Sequence, residues 1–211
     1  MLNKMSKKNI LFVGLAISAL CMTSCSKQPD FDAKSYVQSS LDAEYHEQYA
    51  DYANLMEISE EDVKKQVVED FNESIRQQFA SSDNITEEEI AAYTEKMAEV
   101  KKLAKYKVQD EKKDEDGNYT VSVKVEPSDV FQTLQQSSAE VSKEKIAQGM
   151  KETDPGVFAS VLTESVQKSI DKNSYGAPVT VTVKVEKNHS GTYELSETER
   201  SKLETAMFPT E

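Results

Sequence analysis

Apolar side chains recur at helical spacing through the first half of the chain. One stripe, at every fourth residue, predicts a helix of about five turns that begins after Ser59; its members are Val63, Val67, Phe71, Ile75 and Phe79. Two similar stripes predict a helix over 33–53 and another from Thr86 to about residue 104. Ser59 and Thr86 are suitable N-cap residues, and Glu89 can complete a capping box with Thr86.

The apolar period changes from about 3.6 to 2 at two later places. Residues 105–126 alternate around the turn Asp114–Asn118, and 179–195 alternate around a second turn, so each predicts a hairpin with one apolar face. Two helices are predicted between the hairpins, the second with Asp154 as cap and Pro155 at its first helical position. A last short helix is predicted after Ser196.

These elements predict an α+β fold, with helices packed on one face of a four-stranded, mainly antiparallel sheet. An apolar run over residues 10–20 adds an N-terminal signal helix, preceded by Lys4, Lys7 and Lys8. About eleven apolar residues are too few to span a bilayer, which needs roughly 20. The segment therefore predicts a cleaved export signal.

The signal ends in Met22-Thr23-Ser24-Cys25 and resembles the lipobox of bacterial lipoproteins, with Met22 in place of the favoured Leu. The resemblance implies diacylglycerol on the sulfur of Cys25 and cleavage between Ser24 and Cys25. The predicted organisation is a signal peptide over 1–24, a lipidated tether over 25–32 and a single α+β domain over 33–211. The predicted location is the extracytoplasmic face of the cell membrane, held through the lipid anchor.

Charge and cysteine content exclude several classes of function. Cleavage removes three of the 25 basic side chains and none of the 38 acidic ones, so the net charge falls from −13 to −16. That charge argues against nucleic acid as a partner. Both cysteines lie in the export segment, so disulfides, a cysteine nucleophile and thiolate metal sites are not expected in the domain.

The order of motifs over residues 33–208 resembles an uncharacterised domain of small lipoproteins from Gram-positive bacteria. The likeness is carried by Ile58-Ser59-Glu60-Glu61, Ile85-Thr86-Glu87-Glu88, Tyr106-Lys107-Val108, Val121–Val125, Val181–Val185 and Gly191-Thr192-Tyr193. The resemblance implies the cone fold of nuclear-transport-factor-two-like or cystatin-like proteins, which often has a pocket between helices and sheet. Tyr193 stands where that family often has Trp, and the family supplies no catalytic residues to transfer.

No motif predicts a catalytic, metal or cofactor site. His46-Glu47 is similar to the start of a zinc-protease helix, but residue 50 is Ala where a second His is required. The run from Lys112 to Gly117 is similar to a calcium loop, yet Lys112 occupies the first ligand position and Val123 that of the bidentate Glu. The expected cofactor set is therefore empty.

Four tyrosines at helical spacing give the only positive indication of binding: Tyr36, Tyr45, Tyr49 and Tyr52. They are predicted either to contact a ligand or to form part of the core. The leading hypothesis is a non-catalytic, lipid-anchored module that binds a small ligand, a peptide, a glycan or an envelope protein. The alternatives are a cell-envelope hydrolase whose site is assembled only in three dimensions, and a structural or host-contact surface protein.

Overall fold

A computed structural model describes residues 31–80, 85–151, 153–189 and 191–210. The described elements, in chain order, are α1 (Ala33–His46), α2 (Ala50–Met56), α3 (Glu60–Phe79), α4 (Glu87–Lys101), β1 (Lys105–Lys113), β2 (Tyr119–Glu126), α5 (Leu134–Ala147), α6 (Val157–Lys172), β3 (Val179–Lys187), β4 (Tyr193–Leu195) and α7 (Glu197–Met207). The predicted α+β class is confirmed.

The four strands form one antiparallel sheet in the order β1-β2-β3-β4. The valines of β2 and β3 lie opposite one another, with Val121 paired to Val183 and Val123 to Val181. These valines point to one face of the sheet, whereas Thr120, Ser122 and their neighbours point to the other. One face of the sheet is therefore buried, as the alternation predicted.

Helices cover the buried face of the sheet in layers. α1 and α7 contact the strands directly, α3 and α4 pack behind α1, and α6 packs on α4 with α5 beside it. The buried apolar side chains of these elements form a continuous cluster. Met97 and Val100 of α4 are completely buried in it, and this fixes the rotation of α4 about its axis.

The structure differs from the prediction in the first helix, because 33–53 is two helices rather than one. Glu47 takes a left-handed conformation with φ 58°, and the backbone N–H of Gln48 donates to the carbonyl of Asp42. This left-handed residue ends α1, and α2 begins three residues later. The helical spacing of the tyrosines continues across the break because Tyr45 before it and Tyr49 and Tyr52 after it are all buried.

The predicted start of α6 is also wrong. The helix begins at Val157, after Gly156 in the left-handed conformation with φ +77°, and not at Pro155. The carboxylate of Asp154 accepts the backbone N–H of Lys151 at 2.8 Å, so it is directed backwards along the chain and does not cap α6.

Three other helix starts agree with the sequence. Ser59, Thr86 and Ser196 each accept a backbone N–H of the first turn, and Thr86 and Glu89 form the complete capping box. The signal segment over 1–24 and the cleavage and lipidation positions, Ser24 and Cys25, lie outside the described residues. They stay predictions, as do the domain bounds.

Candidate functional site

An open cleft of about 370 Å³ lies between α3 and α4. Residues near the end of α1 and Tyr49 also line it. The lining residues are Glu44, Tyr45, Glu47, Tyr49, Val67, Val68, Phe71, Asn72, Arg76, Glu87, Ile90, Ala91, Thr94, Glu95, Ala98 and Lys101. The cleft is the candidate binding site.

Differences in side-chain size between the two helices leave this space open. α3 presents Val67 and Phe71 to the cleft, whereas α4 presents the small side chains of Ala91 and Ala98. Beside the cleft, Phe79 of α3 and Tyr93 of α4 meet edge to face with ring centroids 5.3 Å apart. Small residues on one wall therefore produce a groove where bulky ones would have filled it.

Lys101 forms part of the floor of the cleft, and its side chain is 7% exposed. Its Nζ lies 4.5 Å from the ring centroid of Phe71 and 5.7 Å from that of Tyr45. Among the described residues, none gives this ammonium group a hydrogen bond or an ion pair within 4 Å. Its contacts are with aromatic faces, which attract a cation but supply no oxygen acceptor.

Burial lowers the pKa of Lys101, and the negative charges of Glu44, Glu204 and Glu47 oppose the shift only in part. Burial has this effect because it disfavours the charged form of a lysine. Strongly perturbed groups in a cleft are candidates for function. Lys101 is such a candidate.

Two acids near Lys101 lie closer to other cations. Glu44 is buried, and one of its carboxylate oxygens lies 3.7 Å from Nη1 of Arg200. That guanidinium also donates to the Ser40 hydroxyl at 3.2 Å and to the Leu195 carbonyl at 3.1 Å. Glu47 pairs with Lys102 at 3.0 Å.

The outer part of the cleft combines acidic and apolar groups. Glu87 and Glu95 lie along α4, and Arg76 of α3 approaches Glu87 at 3.7 Å in a solvent-exposed pair. Val68 lies on α3, on the same side of the cleft as Arg76. It is 41% exposed and is one of the few large apolar side chains that are substantially exposed. The cleft therefore has a cation at its floor, apolar walls, and acids near its mouth.

The structure separates the four tyrosines of the sequence hypothesis into two pairs. Tyr45 and Tyr49 line the cleft, and burial raises the pKa of both phenols, more strongly for Tyr45. Tyr36 and Tyr52 lie in the core with ring centroids 6.1 Å apart and do not line the cleft. Lys101, which the sequence reasoning did not select, is the polar group placed deepest in the site.

His46 belongs to a separate cluster beneath the end of α1. Its Nε2 lies 3.0 Å from the carbonyl of Ala104, and its Nδ1 lies 3.1 Å from the hydroxyl of Tyr106, which also contacts Asp42 at 2.7 Å. Burial raises the pKa of Tyr106, and the hydrogen bond to Asp42 adds to the shift. These contacts join α1 to β1, and none of these groups lines the cleft.

The other sequence candidates are placed apart from the cleft. His189 lies exposed in the turn between β3 and β4. The acidic run after Lys112 forms the β1–β2 turn, in which the Asp114 carboxylate accepts the backbone N–H of Asn118 at 2.9 Å. Among the residues that the structure describes, no three His, Cys, Asp or Glu side chains are grouped as a metal site would need.

Within the described ranges, no helix has the length and apolar character needed to cross a membrane. No known protein family matches the sequence, and no curated protein sequence matches it. The fold is similar to the crystal structure of a candidate lipoprotein, ycdA, from Bacillus subtilis, with a TM-score of 0.60 and 16% identity. The similarity covers 85% of this chain and 56% of that one, so the chain spans little more than half the length of that protein, and the likeness shows the fold alone.

Proposed function

We propose that the protein is a lipid-anchored, non-catalytic binding module on the extracytoplasmic face of a bacterial cell membrane, and that its ligand occupies the α3–α4 cleft. The observation that carries the binding function is the ammonium group of Lys101, which lies at the floor of an open cleft without a hydrogen-bond acceptor among the described residues. The Nζ atom is not enclosed by protein and opens into the cleft, so an acceptor oxygen of a ligand can reach it and form a charge-assisted hydrogen bond.

The proposed anchor rests on the lipobox-like segment that ends at Cys25. The similarity in fold to a candidate lipoprotein supports the anchor. The proposed fold of the domain is the cone fold of nuclear-transport-factor-two-like proteins. A diacylglyceryl group has two acyl chains, which meets the requirement for stable attachment to a bilayer.

The position of the cleft suits an anchored receptor. The tether joins the described structure at Phe31, whose ring stacks on Tyr193 with centroids 4.3 Å apart, just before α1 begins. The cleft lies at the opposite end of α1, a helix of 14 residues that is about 21 Å long at 1.5 Å per residue. The binding site is therefore separated from the anchored end by the length of a helix.

The placement of the histidines favours binding over hydrolysis. A hydrolase needs a base within hydrogen-bonding reach of the substrate. Both ring nitrogens of His46 already have partners in the cluster with Tyr106 and Ala104, and His189 lies in a distant turn. The two histidines therefore give the hydrolase alternative no support.

Native mass spectrometry of the protein recovered from its own envelope tests the proposal. Wild type is compared with Ala91→Trp, which fills the cleft from an exposed position, and with Ala92→Trp, a neighbouring exposed alanine that does not line it. A ligand mass that is retained by wild type and A92W and lost by A91W would support the cleft as the site. Bare wild-type protein, or equal retention by A91W, would overturn the binding proposal.

The same preparation tests the anchor. The N-terminal peptide of the mature protein is expected to begin at Cys25 and to carry the mass of a diacylglyceryl group. An unmodified N-terminal peptide would contradict the anchor and would leave the result for the cleft unaffected.

A further inference from the structure

The inner end of the cleft presents an accessible ammonium group to a ligand. An ammonium group has three N–H donors, and those of Lys101 have no acceptor among the described residues. Tyr45 and Phe71 offer only ring faces at this position. A carboxylate would satisfy the group best, because charge-assisted hydrogen bonds are about twice as strong as neutral ones.

The nearby acids of the protein are closer to other cations than to Lys101. The Glu44 carboxylate is directed to Arg200, and that of Glu47 to Lys102. Their charges, with that of Glu204, stabilise the ammonium group of Lys101 from a distance and only partly offset its loss of hydration.

The outer part of the cleft favours a positively charged group. Glu87 and Arg76 line the far end of the cleft, a full length of α4 from Lys101. Glu95 is the nearest exposed acid on α4, about 9 Å from Lys101 along the helix axis, which is within the span of a tripeptide. An amino group is favoured near Glu95, although exposure weakens such a pair. Between floor and mouth, the aliphatic side chains of Val67 and Ile90 offer contact to an apolar side chain.

We propose that the cleft binds a short peptide with apolar side chains, whose terminal carboxylate accepts hydrogen bonds from Lys101 and whose amino end lies at the acidic mouth. The proposal rests on the binding function assigned above and names its ligand class. The site thus distinguishes the two ends of the ligand: the carboxylate is recognised by Lys101 and the amino end by the exposed Glu95. A peptide is neutral overall as a zwitterion, so it adds no net charge to a region that already contains several acids.

Matched pairs of peptides test this assignment. Di- and tripeptides that contain Leu, Val or Phe are titrated into the lipidated mature protein in nanodiscs, each as the free acid and as the C-terminal amide. Backbone amide shifts of Thr94 and Ala98, which line the cleft, report binding by NMR. The free acid is expected to bind about tenfold more tightly or better than its amide, since a hydrogen bond to a charged group is at stake. N-acetylation is expected to cost only about threefold, because the mouth is exposed.

The lysine variants separate the charge from the general shape of the cleft. Lys101→Met keeps a long flexible side chain and is expected to abolish the preference for the free acid. Lys65→Met is the control, because Lys65 stands on α3 but is exposed and does not line the cleft. This variant is expected to retain the preference, and circular dichroism checks that both variants are folded.

The outcomes distinguish this inference from the binding function on which it rests. If the free acid and the amide of each peptide shift the NMR signals of Thr94 and Ala98 equally, the role of Lys101 is overturned, while the cleft remains a binding site. A preference for the acid that persists in K101M would overturn it too. No shift of the cleft residues with any member of the set, at millimolar concentration, would overturn the peptide assignment, and the native mass measurement then decides the binding function separately.

Discussion

Replacement of Lys101 by methionine is expected to make the ligand-free protein more stable at neutral pH. The side chain is 7% exposed, and the pKa of its ammonium group is lowered because the cost of burial exceeds the attraction of the neighbouring acids. Met fills nearly the same space with a flexible apolar side chain. The substitution therefore removes a buried charge and keeps most of the contact with Phe71 and Tyr45.

The magnitude follows from opposing contributions. Burial of an ion costs several kcal/mol in real proteins even after relaxation. The variant recovers that cost but loses the interaction with the two rings, about 1–2 kcal/mol for a desolvated cation, and the attraction of Glu44 and Glu204. Since the net effect of the surroundings lowers the pKa, the balance favours the variant, by about 1–2 kcal/mol. For a protein of this size, that is a rise of about 2–8 °C in Tm.

Equilibrium unfolding in urea and thermal unfolding at pH 7 measure the difference. Lys65→Met is the matched control, because the Lys65 side chain is 69% exposed and surface substitutions usually change stability by less than about 0.5 kcal/mol. A loss of more than about 1 kcal/mol in K101M would refute the reasoning. It would mean that the ammonium group stabilises the fold and is not held there for a ligand.

The pH dependence gives an independent check on the same prediction. The folded-state pKa of Lys101 lies below its ordinary value of 10.5, so the folded state loses its proton first as the pH rises. The cost of the charge is therefore fully present below the folded-state pKa and disappears as the pH approaches 10.5. The stability difference between K101M and wild type is expected to be largest at neutral pH and to shrink as the pH rises towards 10.5. A difference that grew with pH would contradict the lowered pKa.

Three further predictions concern the anchor, the core and the histidine cluster. Cys25→Ser is expected to abolish incorporation of labelled palmitate and retention in the membrane fraction; a labelled, membrane-bound variant would contradict lipidation at this residue. Met97→Ala, at a completely buried position, is expected to lower the free energy of unfolding by about 2–5 kcal/mol, and a loss below 1 kcal/mol in urea unfolding would show that the site collapses without a cavity. Tyr106→Phe removes the hydroxyl shared by Asp42 and His46, and is expected to cost about 1–3 kcal/mol in the same assay while leaving peptide binding unchanged.

The sequence predicted the elements of this fold well where local signals agree with the final packing. The β2 and β3 valines are an example, since alternation marks them as one-sided strands and they pair directly with each other. Thr86 and Glu89 likewise satisfy each other within one turn, so their role does not depend on tertiary contacts. In both cases the determining interactions lie close together along the chain or repeat with a fixed period.

The wrong predictions arose where a tertiary contact or a single backbone conformation decides the outcome. Glu47 is left-handed although it is not glycine, so its type gave no sign that α1 ends there. Asp154 and Pro155 form a strong local start signal, yet the Asp154 carboxylate is taken by Lys151. The spacing of apolar residues indicates which side chains are buried, but it does not indicate whether one unbroken helix connects them.

The candidate site shows the same limit more clearly. The sequence drew attention to tyrosines because their side chains suit binding, and two of the four line the cleft. Lys101 and Lys102 are adjacent, and a pair of lysines at a helix end is ordinarily solvated. Lys102 fits that expectation with its exposed pair to Glu47, whereas Lys101 lies next to the fully buried Val100 and is turned inward with it. The rotation of α4, set by Met97 and Val100, thus carries a lysine to the floor of the cleft. The physical reason to assign function to Lys101 is this conflict between the burial of α4 and the hydration of one of its side chains.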